Sequence, residues 1–209
     1  MATRLASLLA VVALVVVDFG CASTPRSGGT NAAAAYAPLA VGHSWSYKVT
    51  PGPDEPQTVK IVSRDDQGYF VDDKGGRMAP RSDGIYDGQR FLLLEPLAIG
   101  TKWTAVVAPG PQAPKDAAGV TERYEITATD VVVTVPAGTF NDCIEVQAKQ
   151  SVMDPTSGKP ATLLMQWTWA KNTGLIRVRQ SARIDGNKEP VATASMELLA
   201  FTPAAPASP

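Results

Sequence analysis

The chain has 209 residues, 19 Lys and Arg against 20 Asp and Glu, a net charge of −1, and only two cysteines. Near neutrality with no basic run excludes an electrostatic nucleic-acid binder and a polybasic lipid-binding segment. Two cysteines exclude a disulfide-built scaffold, and 165 residues between Pro38 and Thr202 suffice for one domain with its own core.

Residues 1–20 read as a signal peptide whose segment is helical. Arg4 supplies the positive start, and Leu5 to Val17 is an unbroken run of apolar and small residues. That run is too short to span a bilayer, which takes ~20 helical residues, and matches the ~7–15 of an export signal. Asp18-Phe19-Gly20-Cys21 follows. Gly20-Cys21 resembles the lipobox of bacterial lipoproteins, although Asp18 stands where that family usually carries Leu. The resemblance implies a diacylglycerol thioether on Cys21 and cleavage before it. The competing readings are ordinary secretory cleavage after Ala22, which leaves a soluble periplasmic or secreted domain, and an uncleaved N-terminal anchor. Residues 21–37 then form the anchor cysteine and a small, polar, flexible tether. Residues 203–209 read as a disordered tail.

Residues 38–202 read as a single all-β domain, an antiparallel meander of about ten strands curled into a half-barrel or barrel-like shape. Ser44 to Val49 alternates, with Trp45, Tyr47 and Val49 on one face. Gln57 to Val62, Gly68 to Val71, Gly84 to Tyr86, Phe91 to Leu94 and Lys102 to Ala108 are shorter strands. Residues 109–119 are a Pro/Gly-rich loop. Thr121 to Val135, Cys143 to Met153, Ala161 to Lys171, Leu175 to Ile184 and Val191 to Phe201 complete the set. Leu92-Leu93-Leu94, Val131-Val132-Val133, Leu163-Leu164-Met165 and Leu198-Leu199 are apolar on both faces. A one-sided sheet would alternate there, so a second wall, a ligand or a partner must cover the other face.

Pro38-Leu39-Ala40-Val41-Gly42-His43-Ser44-Trp45-Ser46 recurs as Pro96-Leu97-Ala98-Ile99-Gly100-Thr101-Lys102-Trp103-Thr104. This reads as a strand-starting device in which Gly42 and Gly100 take positive φ and Trp45 and Trp103 bury a large ring. Two Trp-lined ligand sites are the functional alternative. Pro136, Gly138 and Phe140 belong to a Pro-Ala-Gly-Thr-Phe turn, and Trp167, Trp169 and Gly174 to a late Trp-x-Ala…Gly-Leu-Ile strand pair. Together these motifs, over roughly residues 38 to 180, resemble a group of exported bacterial β proteins, many with signal peptides or lipid anchors. The resemblance implies fold and compartment, and no activity.

Chemistry-bearing patterns are sparse. His43 is replaced by Thr101 in the second copy, so it reads as a solvated turn residue. Asp65, Asp66, Asp72, Asp73, Asp83 and Asp87 crowd one region without calcium-loop spacing. Cys143, unpaired if Cys21 is acylated, reads as buried and inert. No catalytic residues, metal ligands or cofactor are expected. The chain is expected to be a non-catalytic envelope lipoprotein, held in the cell envelope at the periplasm-facing outer membrane, whose domain binds an apolar ligand or a protein partner. The alternatives are a structural accessory subunit with a filled core and, distantly, a hydrolase whose acid pair meets only in three dimensions.

Overall fold

The computed structural model describes residues 31–108, 119–153, 158–186 and 189–205. The signal segment, Cys21, the tether up to residue 30, the loop 109–118 and the tail from residue 206 lie outside the described residues. The described chain forms twelve strands: β1 (Ser44–Thr50), β2 (Gln57–Arg64), β3 (Phe70–Asp72), β4 (Arg77–Arg81), β5 (Gly84–Tyr86), β6 (Phe91–Leu94), β7 (Lys102–Val107), β8 (Val120–Val135), β9 (Gly138–Met153), β10 (Pro160–Ala170), β11 (Gly174–Ile184) and β12 (Val191–Thr202). All neighbours are antiparallel, and the sheet runs β6-β5-β4-β3-β2-β1-β12-β11-β10-β9-β8-β7. The first strand pairs with the last, so the meander closes on itself everywhere except between β6 and β7. The result is the all-β, nearly closed barrel that the sequence predicts.

The strand the sequence did not show is β4, Arg-Met-Ala-Pro-Arg, whose proline reads as a strand breaker. β3 pairs with β4 only at Met78 and Arg77, so Pro80 faces no β3 residue that would need its missing N–H. A second departure is at the N-terminus. Residues 32–36 were expected in a flexible tether and instead form a 3-10 segment, Ala32–Tyr36, docked on one end of the barrel. Ala33 is fully buried beside Ile85 and Leu93. The Ala33 amide donates to Glu95 Oε1 (2.9 Å), and the Asn172 amide donates to the Ala35 carbonyl (2.6 Å). Runs of alanine carry no periodic signal of their own; their small size is what lets the backbone lie against the sheet end.

β8 and β9 pair from Val135↔Gly138 down to Glu122↔Gln150, but β9 pairs with β10 only as far as Ile144↔Trp169. The outer part of the hairpin, with Pro136-Ala137 at its tip, therefore leaves the wall. Asp130 and Asp142 mark the bend, at φ 56° and 53°. Aspartate tolerates this left-handed conformation better than most residues. The tip returns to the sheet at β12, where the Ala137 amide donates to the Leu198 carbonyl (2.9 Å).

These two elements cover part of the doubly apolar strands, while Leu163, Leu164 and Met165 of β10 stay only partly buried. The 3-10 segment covers Leu93. The hairpin arm lays Val133 and Val135 against Ile176 and Leu198, with Cys143 at its base, in a second core cluster that also holds Trp45, Tyr47 and Ile61. Val132, between the partly buried Val131 and the buried Val133, is 65% exposed, so that stretch alternates after all. The first cluster runs through Tyr124, Ile126, Val146, Trp167 and Trp169.

Candidate functional site

The two copies of the repeated motif share the same hydrogen bonds around their glycine turns. Gly42 and Gly100 sit at φ +96° and +88°, a region open to glycine at no steric cost. The Gly42 amide donates to Ile61 O (2.8 Å) and the Gly100 amide to Ile126 O (2.9 Å). The Ile61 and Ile126 amides in turn donate to His43 O and Thr101 O, both at 2.9 Å. His43 is thus more than a solvated turn residue: its Nδ1–H donates to Pro38 O at 2.7 Å, as Thr101 Oγ1 donates to Pro96 O at 2.7 Å. His43 also sets its ring edge against Trp45 and Phe201.

The two tryptophans hold different joints. Trp45 is buried, stacks on Phe201 with centroids 5.2 Å apart, and donates from Nε1 to Thr173 O at 2.7 Å. A side chain at position 174 would meet that indole nitrogen at 3.3 Å, a tight contact, and Gly174 has φ +102°, a backbone conformation that favours glycine. Trp103, half-buried on β7, donates from Nε1 to Phe91 O at 2.9 Å and so crosses the seam between β6 and β7. It stacks on Tyr124 (5.2 Å, 5°), which stacks on Trp167 (5.6 Å, 17°). Arg90 completes the row, its guanidinium 5.5 Å from the Trp167 ring centroid.

Arg90 also clasps the seam. It bonds Asp87 within its own turn (3.1 Å), and Glu122 and Tyr124 (3.1 Å to the hydroxyl) across on β8. The Tyr124 hydroxyl donates to the same Glu122 carboxylate. Burial raises the Tyr124 pKa, and the Glu122 carboxylate adds to the rise, so the phenol stays protonated and serves as a donor. Seen in the sequence alone, Glu122, Tyr124 and Ile126 alternate, and that pattern places a carboxylate on the inner face. The partner, Arg90, is distant in sequence and carries no such signal.

Inside the barrel, between the two core clusters, lies an apolar cavity of about 220 Å³. Trp45, Tyr47 and Ile61 line one side, Trp167, Trp169 and Leu175 another, and Phe70, Met78, Leu92 and Met196 fill in between. Arg90 and Asp72 are its charged lining residues, and both belong to strand ends opposite the 3-10 segment. Tyr47, whose pKa is raised by burial, donates to Leu175 O at 3.0 Å. Trp169 is 3% exposed, and its indole nitrogen has no hydrogen-bond partner among the described residues. Of the residues singled out in the sequence, Trp45, Trp167, Trp169 and Gly174 meet at this cavity. Trp103 reaches it only through the Tyr124 stack, and Gly42 and Gly100 stand at the barrel end. Pro136, Gly138 and Phe140 lie on the arm, with Phe140 packed against the second cluster.

The aspartates shape turns. Asp72 Oδ1 accepts the Lys74 and Gly76 amides, and Asp87 Oδ1 accepts those of Gln89 and Arg90. Asp65 accepts the Tyr69 amide and pairs with Arg77. Desolvation pulls its pKa upward, but the Tyr69 amide and the Arg77 guanidinium outweigh that and hold it below the usual carboxylate range. No group of three His, Cys, Asp or Glu residues among the described residues is placed to hold a metal ion. Cys143 is fully buried, and burial pushes its thiol pKa up.

No protein-family model and no curated protein matches the chain. Two solved structures are similar in shape. One is a candidate lipoprotein from Parabacteroides distasonis, 15% identical, with a TM-score of 0.42 over 80% of this chain and 98% of that one. The other is a candidate exported protein from Bacteroides fragilis with a YmcC-like fold, 14% identical, with a TM-score of 0.39 over 78% and 97%. Likenesses at that level carry neither activity nor location to this chain.

Proposed function

We propose that this is a non-catalytic envelope protein, anchored through Cys21, whose barrel holds a small apolar ligand. The observation that carries the reading is the aromatic-lined cavity of about 220 Å³ in the barrel interior. Protein interiors are otherwise close-packed, with few voids larger than a water. An apolar cavity of ~150 Å³ already binds benzene, whereas drug-sized sites run ~300–1,000 Å³. The volume therefore suits an aromatic ring or the end of an acyl chain, and not a whole phospholipid.

The location in this proposal is the periplasmic face of the outer membrane, and it rests on the Gly20-Cys21 pattern. The two covered core clusters favour a second reading, a structural subunit that uses its outer surface alone. Protein purified from native membranes, extracted with organic solvent and examined by mass spectrometry, separates the two. A stoichiometric apolar compound supports the ligand reading. An empty extract favours the structural subunit. The same spectra show whether Cys21 carries the diacyl modification.

A further inference from the structure

We infer that one end of the barrel, the end carrying the 3-10 segment and the two repeated turns, is a bilayer-facing surface. In an antiparallel meander successive loops alternate between two ends. Residues 38–43, 65–69, 82–83, 95–101 and 171–173 all fall at the end where β1 begins. The chain also arrives there: Asn31 bonds the Gly84 and Arg81 carbonyls, and the 3-10 segment follows. The inference rests on the anchor reading of Cys21, but not on any ligand.

Chain length turns that topology into a constraint. From Cys21 to Asn31 is ten residues, which can span at most ~35 Å. A domain of this size has a radius of gyration of ~15 Å and is on the order of 40 Å across. A chain fixed at this end cannot run the length of the barrel and still reach the membrane, so the opposite end cannot face the lipid that holds Cys21.

The surface itself is suited to that position. In each repeated turn the leucine, Leu39 or Leu97, points to the core, while the β-branched residue two places on points out. Val41 is 49% exposed and Ile99 66%. They lie just before β1 and β7, which stand across the barrel from each other in strand order, so the end carries two apolar points on opposite sides of the 3-10 plug, beside the exposed turns that hold Asp66 and Asp83. Two such contacts and one covalent anchor fix an orientation, where the anchor alone leaves the domain free to turn. The near-neutral chain offers no polybasic patch, so the docking depends on apolar contact and changes little with salt. Val106 and Val191, as exposed as Ile99 but toward the far end, serve as internal controls.

The test uses the mature chain coupled through Cys21 to a maleimide lipid in vesicles of phosphatidylethanolamine and phosphatidylglycerol. Cys143 is fully buried and will not compete. Hydrogen exchange is compared with the same chain capped at Cys21 in solution. Exchange at residues 38–43 and 96–101 should slow about tenfold on vesicles, with no change at residues 189–191 or 105–108. A Val41→Ser/Ile99→Ser variant with an unchanged circular dichroism spectrum should lose that protection. Unchanged exchange at both turns, or protection at the far end, overturns the inference. Because the tether is made chemically, this result is independent of whether the cell acylates Cys21, which the mass of the native N-terminus decides.

Discussion

Replacing Trp45 and Trp103 by alanine, one at a time, separates the two jobs of the repeated motif. Trp45 is 6% exposed, stacks on Phe201, and satisfies the Thr173 carbonyl. Burying ~150–250 Å² at ~25 cal/mol/Å² is worth about 4–6 kcal/mol, an upper bound for an extended unfolded chain. Truncation should therefore cost about 3–5 kcal/mol, of which the hydrogen bond contributes about 1. For a domain of this size that is a fall in Tm of roughly 6–20 °C. Trp103 is only half-buried, so its truncation should cost less, about 2–3 kcal/mol. Its effect should instead be local, because its Nε1–H to Phe91 O bond is one of the few links across the β6–β7 gap. Denaturant unfolding followed by circular dichroism gives the global cost, and hydrogen exchange over residues 91–94 gives the local one. If Trp103→Ala costs as much as Trp45→Ala and leaves β6 exchange unchanged, the indole does not hold the seam.

Other substitutions probe the covers and the charges. Asp130 sits at φ 56°, so Asp130→Val should destabilise by about 1–2 kcal/mol in a urea melt while Asp130→Gly stays within about 0.5; equal effects would show that the bend does not depend on the left-handed residue. Cys143 should resist alkylation at pH 8 in the folded protein and react fully in urea, with labelling in the native state counting against a buried thiol. Its raised pKa favours the protonated form in the fold, so its contribution to stability is intact below the unfolded thiol pKa of ~8.5 and is lost as pH rises beyond it. Asp65 is shifted the other way, below its unfolded value of ~3.9. Its contribution is present above that pH and is lost as pH falls below it. Asp65→Asn should therefore flatten the acid limb of the stability profile, and an unaltered limb would remove Asp65 from the account.

Most of the wall could be read from the chain itself. Alternation and turn residues located β1, β5 to β8 and β10 to β12 to within a residue at each end. The repeat announced two equivalent turns, and the Gly42 and Gly100 conformations follow from glycine's lack of a Cβ. What escaped was whatever depends on a contact between distant segments. Ala32–Tyr36 looks like linker because alanine and its neighbours have no period, and only the barrel end gives Ala33 a place to bury. The Pro136-Ala137 tip looks like a simple hairpin turn, and nothing local says that the arm bends at Asp130 and Asp142 to reach Leu198. The cavity shows the same division. Trp167 and Trp169 are conspicuous as residues, but the space between them and Tyr47, Phe70 and Met78 exists only once the sheet has curled.

The central claim is that the interior takes a small apolar molecule, and the most direct measurement is a fluorescence titration of stripped protein. Short alkyl alcohols and small aromatic compounds are the probes, read by quenching or shift of the buried tryptophan emission from Trp167 and Trp169. Wild type should bind at one saturable site, and Met196→Trp, which fills the cavity from β12, should fold with a similar Tm and lose binding at least about tenfold. If wild type shows no saturable site, or if the filled variant binds as well as wild type, the cavity is not where this protein meets a ligand.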